Sequence, residues 1–230
     1  MSENPPRPCG RQGPRAPLEV RGPPGRRESR GGVMGSSLRA DAQANHDRLL
    51  EVAARAFARE GADASLKAIA SEAGVGIGTL YRRFPAREDL IEATYRAETT
   101  RLADSARTLV ATRPPVEALA AWMADFVAYM RTKRGMAEAL PAILATREGL
   151  RLRSREALGE AVATLLRHGA AAGVLRSDVT AREVLMALGG ITMISGHEED
   201  PALAARLVGL LVDGLVTARG AGTGGARGSE

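Results

Sequence analysis

From residue 41 to residue 218 the sequence never sustains the alternation of β-branched and polar residues that a strand requires. Apolar residues recur instead at helical spacing, and alanine, the strongest helix former, supplies 42 of the 230 residues. Such a chain buries its apolar side chains helix against helix, so the pattern predicts an all-α fold of about nine helices. The length allows one domain of ordinary size or two small ones with a real core.

Glycine and proline punctuate this helical body. Leu49, Ala53, Ala56 and Phe57 share one face of a helix predicted over 42–60, which Gly61 ends. Short helices follow from Ser65 to Ala73 and up to about Phe84, separated by a turn at Gly74, and a longer one runs from Ala86 to about Val110. Pro114 and Pro115 mark the seam with the remainder. Beyond them the spacing predicts helices over 116–134, over 136–146 with a break at Pro141, and from about 149 to just before Gly173. Thr180 and Glu183 form a capping box opening 180–195, while Asp200 and Pro201 supply an N-cap and a first-turn proline for 201–218.

The ends differ from the body. Residues 1–35 hold seven of the twelve prolines, seven glycines and seven arginines. Such a segment buries too little apolar surface to offset its ordering entropy, so 1–40 is expected to be a disordered tail, with Met34 as an alternative start. Residues 219–230, with five glycines, are a second expected tail. The formal charge of +5 comes entirely from residues 1–40; from Asp41 onward basic and acidic residues balance. That basicity therefore says nothing about the folded body.

Composition excludes several chemistries. Cys9 is the only cysteine, which rules out a disulfide framework and a cysteine-ligated zinc site and points to a reducing compartment. His46, His168 and His197 fall in no metal-ligand spacing, so no metal or other cofactor is expected. No apolar run is long enough to span a membrane and no signal-peptide pattern opens the chain, so a cytoplasmic protein without a membrane partner is expected. Neither GxSxG nor a P-loop is present, and no nucleophile, base and orienting group recur at usable spacing, which disfavours an enzyme. The glycines at 74, 76 and 78 fail the dinucleotide pattern at Thr79, and no strand precedes them. Arg147, Arg151, Arg153 and Arg155 are read as a solvated face.

The segment from Ser65 to Phe84 has the physical grammar of a helix-turn-helix. Two short helices that cross closely need a small residue at the crossing (Ala70), a glycine able to take positive φ in the turn (Gly74), and apolar pins on both sides (Ile69, Val75, Leu80). The second helix then presents Ile77, Gly78, Thr79, Tyr81, Arg82 and Arg83 outward, a kit suited to a major groove. Over 41–95 acidic residues slightly outnumber basic ones, yet Arg82, Arg83 and Arg87 lie in a stretch, 73–87, free of acidic residues. Affinity is therefore expected to be modest per protomer and steeply salt-dependent.

Phe57-Ala-Arg-Glu-Gly61, Ile69-Ala70, Ala73-Gly74-Val75, Gly78-Thr79-Leu80-Tyr81, Phe84-Pro85 and Arg87-Glu88-Asp89-Leu90 together resemble the DNA-binding domain of the TetR (tetracycline repressor) family of bacterial transcriptional regulators. The resemblance implies a DNA-binding domain over 41–95 and an effector-binding and dimerisation domain over 96–218. It implies that Ile77, Gly78, Thr79, Tyr81 and Arg82 face bases or the adjacent backbone, and that Ser65, Lys67, Arg83 and Arg87 contact phosphates, with Arg39 and His46 near the start of the first helix as further candidates. Gly76 and Ile77 replace residues that are commonly polar in the family, so readout is expected to lean on thymine methyls and DNA shape.

The expected partners are a double-stranded DNA operator, a second copy of the chain and a small, largely apolar effector. Trp122, Phe126, Tyr129, Met130 and Met136 are candidate pocket residues, together with Leu140, His168, Met186 and Met193. Leu185, Leu188, Leu203, Leu207, Leu210 and Leu211 are candidates for a dimer interface between the last two helices and their symmetry mates, although a core within one chain explains the same stripes. The implied function is a ligand-released repressor that binds a palindromic operator as a homodimer. An activator or effector-independent regulator of the same fold is an alternative, as is a helical binding or enzymatic protein with an idle N-terminal module.

Overall fold

In the computed structural model the described residues are 32–196 and 202–218, and their regular structure is helical. The helices are α1 (Gly32–Glu60), α2 (Leu66–Glu72), α3 (Ile77–Arg83), α4 (Arg87–Thr112), α5 (Pro115–Gly135), α6 (Leu140–Thr146), α7 (Glu148–Ala171), α8 (Ala181–Ser195) and α9 (Leu203–Leu215), with a single 3-10 turn at Gly61–Asp63. Residues 1–31 of the tail expected over 1–40, the tail expected over 219–230, and the expected cap at Asp200 and Pro201 lie outside the described residues, and 32–40 are helical.

Three boundaries differ from expectation. α1 begins at Gly32 and not near 42, because the last proline before it is Pro24 and nothing stops the helix from running back through Leu38 to Met34. α6 begins at Leu140, so Pro141 does not break a helix over 136–146 but sits in the first turn of one, where its missing N–H costs nothing. α9 begins at Leu203 after Ala202, which offers no side-chain cap, two residues later than Pro201. The capping box of α8 forms as expected: the Thr180 N–H donates to Glu183 Oε2 at 2.7 Å and the Glu183 N–H donates to Thr180 Oγ1 at 3.3 Å.

From Ala40 onward the helices share a continuous apolar core. At its N-terminal end Ala53 and Phe57 of α1 close on Ile69 and Ala70 of α2, Leu80 of α3, and Leu90 and Ile91 of α4. Further along, α4 lies between α5 and α7, and α8 and α9 complete the packing. Trp122, Met123 and Phe126 of α5 are buried with Leu102 of α4, Leu165 of α7 and Leu188 of α8. The buried indole of Trp122 donates its N–H to the Leu102 carbonyl at 2.8 Å, which satisfies a polar group that would otherwise be stranded. Near the C-terminus Leu175 and Val216 form an isolated antiparallel bridge that ties the end of α9 to the loop after α7.

Gly135 and Glu92 are among the residues that join the helix-turn-helix end to the rest. Gly135, at the end of α5, sits so close to α1 that a Cβ there would overlap the Phe57 carbonyl. The buried carboxylate of Glu92 on α4 receives Arg96 at 2.6 Å and also Arg147, the residue between α6 and α7.

Candidate nucleic-acid interface and ligand cleft

The short helices α2 and α3 hold their crossing with few residues. Ser65 caps α2, its hydroxyl accepting the Ala68 N–H at 3.3 Å. Gly74 takes φ +72° in the turn, a left-handed conformation that a residue with a Cβ pays to adopt. The Val75 N–H then returns to the Ala70 carbonyl at 2.9 Å. Gly76 gives α3 no side-chain cap; the Thr79 and Leu80 N–H groups donate to its carbonyl. Leu80 is the one buried residue of α3 and pins the helix to α1 and α2. On the far side of α2, Glu72 receives Arg55 of α1 at 3.0 Å.

This arrangement turns the rest of α3 outward. Ile77, Gly78, Thr79, Tyr81, Arg82 and Arg83 are exposed, Tyr81 to 50% of its surface, and so are Ser65 and Lys67 beside them. Arg87 is half-buried and already engaged in the fold. The guanidinium of Arg82 donates to Thr79 Oγ1 at 3.3 Å, which lays it along the helix. His46 of α1 stacks on Phe84 at 6.0 Å between ring centres. Its Nδ1 is buried and has no hydrogen-bond partner among the described residues, and burial followed by the nearby Arg83 charge lowers its pKa below the ordinary value. The face therefore combines exposed apolar, hydroxyl and guanidinium groups on one turn-and-a-half of helix, the chemistry that reads base edges and neutralises phosphates.

The candidate pocket residues divide. A cleft of about 840 Å³ opens between α5, α6 and α8, and Met130, Leu140 and Met193 line it. Trp122, Phe126, Tyr129 and Met136 do not; they are buried in the core, where the α5 rings pack tilted against one another with centres 5.8 and 5.9 Å apart. The Tyr129 hydroxyl lies 3.2 Å from that of Thr99, whose own proton goes to the Tyr95 carbonyl, so Tyr129 is the donor. Burial, then the neighbouring Tyr95, pushes its pKa up and keeps it neutral. His168 is half-buried near the end of α7 and does not line the cleft. Met186 points away from it, with 68% of its surface exposed on α8.

The sequence reading missed Lys133, Arg134 and Arg151, which also line the cleft. For two of them a signal was available, because Met130, Lys133, Arg134 and Ala137 follow the helical i, i+3, i+4, i+7 spacing one face over from the core stripe. Arg134 reaches across to the end of α8, donating to the Thr192 carbonyl at 2.5 Å and the Gly196 carbonyl at 3.0 Å. The arginines read as a solvated face separate in the same way: Arg147 pairs with Glu92, Arg151 faces the cleft, and Arg153 and Arg155 are exposed.

The candidate dimer residues also divide. Leu210 is exposed to 68% of its surface, Leu185, Leu203, Leu207 and Leu211 are half-buried, and Leu188 is wholly inside the core of its own chain. Met186, Met193 and Ile194 of α8 are exposed and join Leu210 among the large apolar side chains that α8 and α9 leave uncovered.

Comparison with known proteins agrees with this geometry. Residues 49–94 match the pattern of bacterial regulatory proteins of the tetR family, and residues 114–217 match the C-terminal domain of SbtR-like transcriptional regulators. A TetR transcriptional regulator from Streptomyces coelicolor is 46% identical, with 75% of this chain and 98% of that one aligned at a TM-score of 0.70. A TetR regulatory protein from Mycobacterium vanbaalenii is 34% identical over 78% of this chain and 99% of that one, with a TM-score of 0.64. HTH-type transcriptional regulators of Staphylococcus aureus are 44% identical over 54 residues, which span 23% of this chain and 29% of theirs. Among the described residues no helix is long and apolar enough to cross a membrane. With the helix-turn-helix at one end, the SbtR-like helices at the other and near-complete coverage of two solved regulators, the chain belongs to the TetR family of DNA-binding transcriptional regulators, which are not enzymes.

Proposed function

We propose that this regulator is a repressor that binds a palindromic operator as a homodimer and leaves it when a small molecule enters the cleft between α5, α6 and α8. The observation that carries the reading is the division of labour in α3. Leu80 alone of α3 is buried, which supports Ile77, Thr79, Tyr81 and Arg82 as the residues that enter a major groove, and we assign Ser65, Lys67, Arg83 and Arg87 to the flanking phosphates. One such helix makes few contacts, and a second copy supplies the other half-site. The exposed Met186, Ile194 and Leu210 favour α8 and α9 as the surface on which two copies meet.

A route from cleft to DNA is also available. α6 lines the cleft and ends at Arg147, Arg147 holds Glu92 on α4, and α4 follows directly on the recognition helix. A ligand that shifts α6 alters the spacing of the two recognition helices, which must lie about one turn of DNA apart.

The test is a mobility-shift assay on the DNA upstream of the protein's own coding region. The chain is expected to retard it as a dimer, Tyr81→Ala and Arg82→Ala each to weaken retardation, and an effector to restore free DNA. Unchanged retardation by both variants would sink the assignment of α3; binding that no compound releases would remove the ligand-released part.

A further inference from the structure

We propose that the cleft takes an anionic amphiphile, its head held by Lys133 and Arg151 and its aliphatic tail laid along Leu140, Leu144 and Met193. This rests on the reading of the cleft as the effector site and names the chemistry of what enters it. It revises the largely apolar effector expected from the sequence, since Trp122 and Phe126 are buried in the core and the α5 residues that face the cleft include two cations.

The lining is one-sided in charge. Lys133, Arg134 and Arg151 contribute to the wall, and among the described residues no carboxylate does. Arg134 is occupied by the Thr192 and Gly196 carbonyls at the end of α8. Lys133 and Arg151 form no hydrogen bond or ion pair among the described residues, and Lys133 is half-buried. An ammonium partly withdrawn from water beside an apolar wall is under-compensated, and an anion brought to it makes a charge-assisted hydrogen bond that an alcohol cannot match. Elsewhere the wall is alanine, leucine, methionine and proline without an aromatic ring, which offers contact to an aliphatic chain and no stacking surface. The volume of about 840 Å³ lies within the range of pockets that enclose small ligands. A carboxylate and a phosphate monoester share this chemistry.

The experiment titrates the full-length protein by calorimetry with decanoate, decyl phosphate, decanol and decyltrimethylammonium, each below its micelle threshold. At least one of the two anions is expected to bind tenfold or more tightly than decanol, and which of them does so identifies the head. Lys133→Gln with Arg151→Gln brings that anion to the level of decanol and leaves decanol unchanged, while Arg151→Glu moves the preference toward the quaternary ammonium. Thermal melts of the variants confirm that they fold. Decanol binding as tightly as both anions, an anion affinity indifferent to the double variant, or no binding by any of the four overturns the proposal. So does a double variant that elutes as a monomer where the parent elutes as a dimer, because the cations then meet a second copy. A parallel mobility shift separates this proposal from the one it rests on. Charge-dependent binding without release of DNA leaves the ligand chemistry standing and removes ligand release, whereas release by an uncharged compound with no anion binding does the reverse.

Discussion

α3 and α5 use their residues in opposite ways. α3 has seven residues, one of them buried, and presents nearly everything else to solvent. α5 has 21 residues and commits Ala118, Leu119, Trp122, Met123, Phe126, Tyr129 and Thr132 to the interior, which leaves only the face from Met130 through Arg134 for a ligand. A helix that carries little of the fold is free to carry recognition on most of its surface. One that carries much of the fold can offer only a remnant of itself. The two helices should therefore respond to substitution in opposite senses, stability on one side and binding on the other.

The largest effect is expected at Trp122. Trp122→Ala removes a fully buried indole and its hydrogen bond to the Leu102 carbonyl, which keeps the Ser105 hydroxyl as a donor, at a cost of about 3–5 kcal/mol in urea unfolding. DNA affinity of the fraction that remains folded should not change, and a loss of affinity in that fraction would break the contrast. Arg82→Ala should do the reverse, weakening DNA binding by about 1–3 kcal/mol while stability stays within about 0.5 kcal/mol. Arg147→Ala probes the joint between the two regions. Glu92 keeps Arg96 and both arginines are largely exposed, so about 1 kcal/mol of stability is expected to go, with a larger fraction of the ligand response. The smallest effect belongs to His46. Its folded pKa lies below the ordinary 6.5, so the unfolded chain takes up the proton first and stability should fall as pH drops below about 6.5. Arg83 and Asp47 are the charges that face it, the first reinforcing the shift and the second opposing it. His46→Phe should flatten that slope in melts between pH 5 and 8.

What the sequence disclosed follows the same contrast. The α2–α3 pair is specified by neighbours: Ser65, Ala70, Gly74 and Leu80 lie within one short segment, and each acts through a partner a few residues away. The capping box at Thr180 is equally local and formed as read. The cleft is not local. Its walls come from α5, α6, the start of α7 and the middle of α8, and only their packing decides that Met130 and Met193 share a space that Trp122 and Met136 do not enter. Aromatic and methionine residues on a helical stripe satisfy a core and a pocket equally well, and nothing in their spacing separates the two. The partner of Glu92 is hidden for the same reason, since Arg147 lies far along the chain on a different helix junction.

Gly135 carries a consequence for how halves of such proteins can be exchanged. Its missing side chain is what lets the end of α5 rest against the Phe57 carbonyl of α1. A chimera that grafts a different sensory half onto this helix-turn-helix must therefore bring a residue without a Cβ to that seat, or the two halves will be held apart at the point where they meet. Compatibility between DNA-reading and sensing modules would then be limited by a single backbone-to-backbone fit, and recombinants selected for function should preserve glycine there even where both parental surfaces are replaced.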